Sequence, residues 1–162
     1  MIVTKFMSTI IDQGATYLAA IRNSIGSKQF RNLYAEVDGK RMDLTEDGRL
    51  ACAFYVSWIL LHFGFIKEPH VTVDGTVKDL RANGWKDVEE PREGDVLVWE
   101  PTMDHDPEHP HQHIGFYLGN GRAASNSSTL HEIVEHDWLY EGKRRIIAIL
   151  SFPRRRESSP KN

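Results

Sequence analysis

The hydrophobic period of this chain changes near residue 90, and that change limits its fold more than any other feature. Before it, apolar residues recur at helical spacing. Met7, Ile10, Ile11, Leu18, Ile21 and Ile25 share one face and predict an amphipathic helix over residues 5–25, stopped by Gly26. The run 51–63 is apolar on all sides and predicts a buried helix ending at Gly64. A third, short helix is expected over 76–83, with Thr76 as its cap and Gly84 as its stop. Between the first two, the segments 33–37 and 41–44 flank Asp38-Gly39, the signature of a tight hairpin. After residue 90 the period is two. The turn Pro91-Arg92-Glu93-Gly94 delivers a strand over 95–99, the segments 113–118 and 122–127 read as two strands joined across Gly119-Asn120-Gly121, and 145–152 is a last apolar strand. Helices first and an antiparallel sheet second is an α+β layout.

With 162 residues the chain reads as one domain, 1–152, large enough to bury a core. The segment 153–162 has three arginines, two prolines and nothing apolar to pack, and is expected to be a disordered tail. A formal charge of −3 without a basic stripe argues against a nucleic-acid or membrane partner. A single cysteine, Cys52, excludes an internal disulfide. No segment reaches the roughly 20 apolar residues that span a bilayer. Asp12 and Gln13 interrupt the N-terminal apolar stretch, which therefore does not read as a signal peptide. The expectation is a chain cytoplasmic as synthesised, with release to an external target left open.

Cys52 heads the apolar run Ala51-Cys52-Ala53-Phe54-Tyr55-Val56-Ser57-Trp58, and His113 opens a strand about sixty residues further on. A thiol at a helix start followed by a strand-borne imidazole is the wiring of a cysteine hydrolase: the helix N-terminus favours the thiolate and the imidazole handles the proton. The duller alternative is a buried, inert thiol. His105, His109, His111 and His113, with carboxylates between them, have the composition of a zinc site. The interspersed prolines impose loop geometry and no second ligand frame exists, so a solvated loop on a cleft rim is expected, with no metal and no cofactor. His136 and Trp138 alternate in a strand-like way; a structural role is expected, with a place bordering the cleft as the alternative. His62 and His70 are expected to be structural or exposed. Asp95 is expected to cap its turn, and Tyr55 to sit in the core.

Three stretches together resemble a known family. Cys52 with the following Phe54-Tyr55-Val56-Ser57 is similar to a "C-x-x-F-V-S" nucleophile helix. Gly94-Asp95-Val96-Leu97-Val98-Trp99 is similar to a "G-D-L-V-F-F" strand, and His113-Ile114-Gly115-Phe116-Tyr117-Leu118-Gly119-Asn120-Gly121 to an "H-V-G-I-Y-x-G-x-G" base strand. Across residues 50–127 the chain thus resembles the NlpC-type cell-wall cysteine peptidases, with the CHAP amidases as near relatives. The resemblance implies a papain-like single domain in which N-terminal helices, the nucleophile helix among them, pack on a C-terminal antiparallel sheet. It also implies cleavage of an amide bond in peptidoglycan stem or cross-bridge peptides, with that peptide as the partner. An inactive relative that binds wall fragments or a protein, or an amidase of an intracellular amide, are the alternatives. The chain departs from the family in two places. Ala51 stands where an acidic residue is usual, and Asp43-Leu44-Thr45-Glu46-Asp47-Gly48 replaces an aromatic-glycine stretch.

The third polar residue depends on a turn length. The family places a histidine twelve residues past the base, here Ser125. Side chains two apart share a face of a strand, so a two- or four-residue turn after the first strand puts Asn126 beside His113, and a three- or five-residue loop selects Ser125. An amide oxygen holds an imidazole in one tautomer better than a hydroxyl does. Cys52, His113 and Asn126 are therefore the expected catalytic residues, with Ser125 as the alternative to Asn126. The backbone N–H of Cys52 is a candidate oxyanion donor.

Overall fold

Side-chain caps and left-handed turns set the ends of the first elements in a computed structural model that describes residues 10–103 and 110–153. Asp12 accepts a 2.8 Å hydrogen bond from the Ala15 N–H and caps α1, Gln13–Asn23. The helix therefore starts later than the expected residue 5, and residues 1–9 lie outside the described part. Gly26 follows it at φ +78°. Strands β1 (Tyr34–Val37) and β2 (Lys40–Asp43) meet across Asp38 and Gly39, both at positive φ, as the hairpin signature required. Helix α2 (Cys52–His62) is followed by Gly64 at φ +72°. Helix α3 (Val73–Ala82) begins three residues earlier than expected, because Thr72 is its cap. Thr76 is instead buried inside the helix, its hydroxyl donating to the Thr72 carbonyl.

The remaining strands are β3 (Lys86–Asp87), β4 (Val96–Thr102), β5 (His111–Gly119), β6 (Arg122–Ser127), β7 (Glu132–Asp137) and β8 (Ile146–Ser151). They form one six-stranded antiparallel sheet in the order β3-β8-β4-β5-β6-β7. The α+β layout holds, with three helices and this sheet among the described residues. Asp95 caps its turn as expected, its carboxylate accepting from the Arg92 N–H at 2.8 Å. The expected tail lies, beyond Pro153, outside the described residues. No described helix is long and apolar enough to cross a membrane.

The main core joins α2 to one face of the sheet. Tyr55, Val56 and Leu60 pack in a single cluster with Val96, Ile114, Phe116 and Leu150, and the Tyr55 and Phe116 rings meet edge-on at 5.5 Å. The Tyr55 hydroxyl is used up on Ser24 at 2.9 Å, which leaves it in the core rather than at a site rim. A second, smaller cluster of Leu97, Trp99, Ala123 and Ile149 occupies the other face.

The β5–β6 connection decides which residues share a face. Gly119 pairs with Arg122, so the turn itself has two residues, Asn120 and Gly121, both at positive φ. On that count alone Asn126 would share a face with His113. A bulge between Tyr117 and Gly119 adds one residue to β5, and the ladder continues as Tyr117↔Ala123 and Gly115↔Ser125. One inserted residue reverses the side of every position beyond it.

Candidate functional site

Cys52 is the first residue of α2, and the preceding Ala51 provides no side-chain cap. The first N–H groups of the helix are therefore left to other acceptors. Those of Cys52 and Ala53 act on the thiol, as does the backbone N–H of Ile114 in β5. The β5–β6 ladder runs only from Gly115↔Ser125 onward, so the α2 terminus meets β5 where β6 has parted from it. Burial pushes the Cys52 thiol above its ordinary pKa, against the pull of these three N–H groups and the Arg144 charge. At rest the sulfur is a thiol that needs a base.

His113 lies on β5, and Cys52 and His113 are both among the residues lining one cleft of about 1010 Å³. The imidazole Nε2 is 2.9 Å from the Ser125 hydroxyl. That hydroxyl is in turn 2.8 Å from His136 Nε2 and 3.3 Å from the Tyr140 hydroxyl. His136 completes the chain with Nδ1 2.8 Å from the Asp137 carbonyl oxygen. The buried Trp99 ring supports this group, 5.4 Å from His113, 5.6 Å from His136 and 5.6 Å from Tyr140. Its own N–H is held by the Trp138 carbonyl at 2.8 Å. Gly115 makes the approach possible. A Cβ there would lie 2.5 Å from the Ala124 carbonyl oxygen and 2.8 Å from the Ser125 Cβ.

Ser125, in place of the expected Asn126, is thus hydrogen-bonded to His113. The bulge in β5 is the reason. Asn126 turns to the α2 side of β6, where its amide donates to the Gly48 carbonyl at 2.8 Å. It anchors the segment that leads into Cys52. That segment turns through Glu46, Asp47 and Gly48, all at positive φ, and Asp43 secures its start. Against the effect of burial, bonds from the Asp47 and Leu33 N–H groups and from Asn32 and Thr45 hold the Asp43 carboxyl well below the usual carboxylate range.

Tyr140 was not expected at the site. For His136 the sequence favours a structural role over a place bordering the cleft, so its bond to Ser125 was not foreseen. The register accounts for His136: Ser125 pairs with Val134 and Ala123 with His136, which makes His136 a diagonal neighbour of Ser125 on the same face. The alternation around His136 was visible in the sequence, but its target was not. His70, expected to be structural or exposed, pairs with Asp79 at 2.8 Å. Arg144 ties the end of β4 to the start of β5 through the Glu100 and His111 carbonyls, at 3.0 Å each, and lines the same cleft. His105 and His109 of the proposed histidine loop lie outside the described residues. Among the described residues no group of three metal-ligating side chains comes together.

No protein-family model matches the chain, and no curated protein matches it in sequence. Its fold is similar to that in the solved structure of NlpC2 from Trichomonas vaginalis, with a TM-score of 0.51 at 15% identity. The match covers 88% of this chain and 47% of that one, so the chain spans about half the length of this neighbour.

Proposed function

We propose that the chain is a papain-like cysteine hydrolase that cleaves an amide bond in peptidoglycan stem or cross-bridge peptides. The observation that carries this reading is the shared cleft, lined both by Cys52 at a helix terminus without a side-chain cap and by His113, already bonded to Ser125. The fold likeness to NlpC2 supports the papain-like fold, and the three stretches of sequence resemblance support the substrate class. In this mechanism His113 takes the thiol proton as the Cys52 sulfur attacks the scissile carbonyl. The oxyanion forms beside the Cys52 N–H at the start of α2. His113 then returns the proton to the leaving amine, and a water deprotonated by His113 hydrolyses the thioester. Ser125 takes the orienting role expected of Asn126.

Zymography on bacterial cell walls tests the proposal. Wild-type protein is expected to clear the wall, and Cys52→Ala to abolish clearing while keeping its fold. Folded wild-type protein that clears no wall type overturns it. The second reading is a module that binds wall fragments without turnover, in which the thiol that burial holds above its ordinary pKa stays inert. Sedimentation of both proteins with insoluble wall, in the absence of clearing, would identify that module.

A further inference from the structure

Ser125 has one hydroxyl hydrogen and stands among three groups, His113 Nε2, His136 Nε2 and the Tyr140 hydroxyl. The direction of these bonds is settled from the far end. His136 Nδ1 faces the Asp137 carbonyl oxygen, which only accepts, so Nδ1 carries the ring hydrogen. A neutral His136 then presents a lone pair at Nε2, and Ser125 donates its hydrogen there. The serine oxygen is left to accept, from the Nε2–H of His113 and from the Tyr140 hydroxyl. Donation to His113 instead would set two lone pairs against each other 2.8 Å apart, between Ser125 and His136.

We propose that His136 is a positioning residue that acts through Ser125 to hold His113 as the Nε2–H tautomer, which leaves Nδ1 as the base. The proposal rests on the Cys52–His113 reading above. The proton balance is simple. Deprotonation of Cys52 places its proton on His113 Nδ1, the imidazolium keeps its Nε2–H bond to Ser125, and no hydrogen moves on Ser125 or His136. The relay needs no rearrangement when charge develops, which is the condition for preorganised catalysis.

The surroundings keep His136 neutral. Its ring stacks on Tyr140 at 4.2 Å and leans on Trp99. The charged groups that act on it are Arg122 of β6, the adjacent Asp137, and Arg144 ahead of β8. Burial, with the two arginines, outweighs Asp137 and holds its pKa below the ordinary imidazole value. Nothing in the family resemblance supplies this residue, because it enters only through the β6–β7 register.

The test uses iodoacetamide on the only cysteine, followed by mass spectrometry across pH, together with the ¹⁵N chemical shifts of the histidine rings. His136→Phe keeps a ring between Trp99 and Tyr140 and removes the acceptor, whereas His136→Gln returns an oxygen that can accept. In wild type His113 is expected as the Nε2–H tautomer, and alkylation at pH 7 is expected to depend on His113. His136→Phe should slow that alkylation about tenfold, shift its pH profile toward that of His113→Ala, and mix the His113 tautomers. His136→Gln should recover most of the rate. Alkylation and tautomer unchanged in His136→Phe overturn the relay and leave the cysteine hydrolase standing. Alkylation indifferent to His113→Ala overturns both. Should His136→Phe not fold, a wild-type His113 found with its hydrogen on Nδ1 is enough to overturn the proposal.

Discussion

On the α2 side of the sheet, strands β4, β5, β6 and β8 present Val96, Val98, Ile114, Phe116, Ala124 and Leu150, sealed under the helix. On the opposite side the same strands present Trp99, His113, Ser125 and Ala148's neighbour Ile149, with His136 and Tyr140 closing over them. Neighbouring residues on one backbone thus face two kinds of interior. The first needs only shape, since apolar groups ask for no partner. The second sets a polar group beside the apolar cluster around Trp99, and it is tolerable because the hydrogen bonds around Ser125 give donors and acceptors partners. Stability is expected to follow the first face and reactivity the second.

The sharpest break in that contrast comes from Phe116. Its ring meets Tyr17 and Tyr55 and is fully buried. Phe116→Ala should cost about 3–5 kcal/mol in urea unfolding, and any loss of reactivity should track the unfolded fraction. Next come the two neighbours separated by the bulge. Ser125→Ala should lower turnover by about 10–100-fold, by analogy with lost orienting partners, with little change in the urea midpoint. Asn126→Ala should show the reverse: about 1–2 kcal/mol of lost stability, from a Gly48 carbonyl left without its donor, and a weaker effect on turnover. If Asn126→Ala matches Ser125→Ala in turnover at full stability, the division between the faces fails.

The smallest expected effect is a pH dependence. His136 binds its proton less readily folded than unfolded. As pH falls below about 6.5, the ordinary histidine value, the unfolded chain gains that proton first and stability declines. The decline between pH 7 and pH 5.5 should be shallower in His136→Phe. An equal slope in both proteins would place the acid sensitivity elsewhere.

Much of the fold was legible because its signals are local. Asp38-Gly39 predicts a hairpin turn because that turn type demands two positive φ angles, and β6 begins and ends where the alternation does. Gly64 and Gly84 end helices for a similar reason, sitting at positive φ just beyond α2 and α3. Cys52 and His113 were legible because a helix start and a strand are each marked by their own neighbours. The errors arose where the answer depends on a partner. The α3 cap went to Thr72 rather than Thr76, both residues being chemically suited to it. The β5–β6 turn length was right for Asn126, yet a bulge two residues before the turn reversed the outcome.

What the sequence by itself determined, then, is the order of the helices, of the hairpin and of four of the six sheet strands, and the alternation within those four. It also placed a thiol at the start of a helix and an imidazole within a strand. Each of these is set by a few adjacent residues. Strands β3 and β7 were not among those expected. Only the tertiary structure decided that Ser125 faces His113, that Asn126 holds the approach to Cys52, and that His136 stands behind Ser125. These three depend on register between strands, and register is a cooperative property of the whole sheet in which a single inserted residue reverses every side chain beyond it.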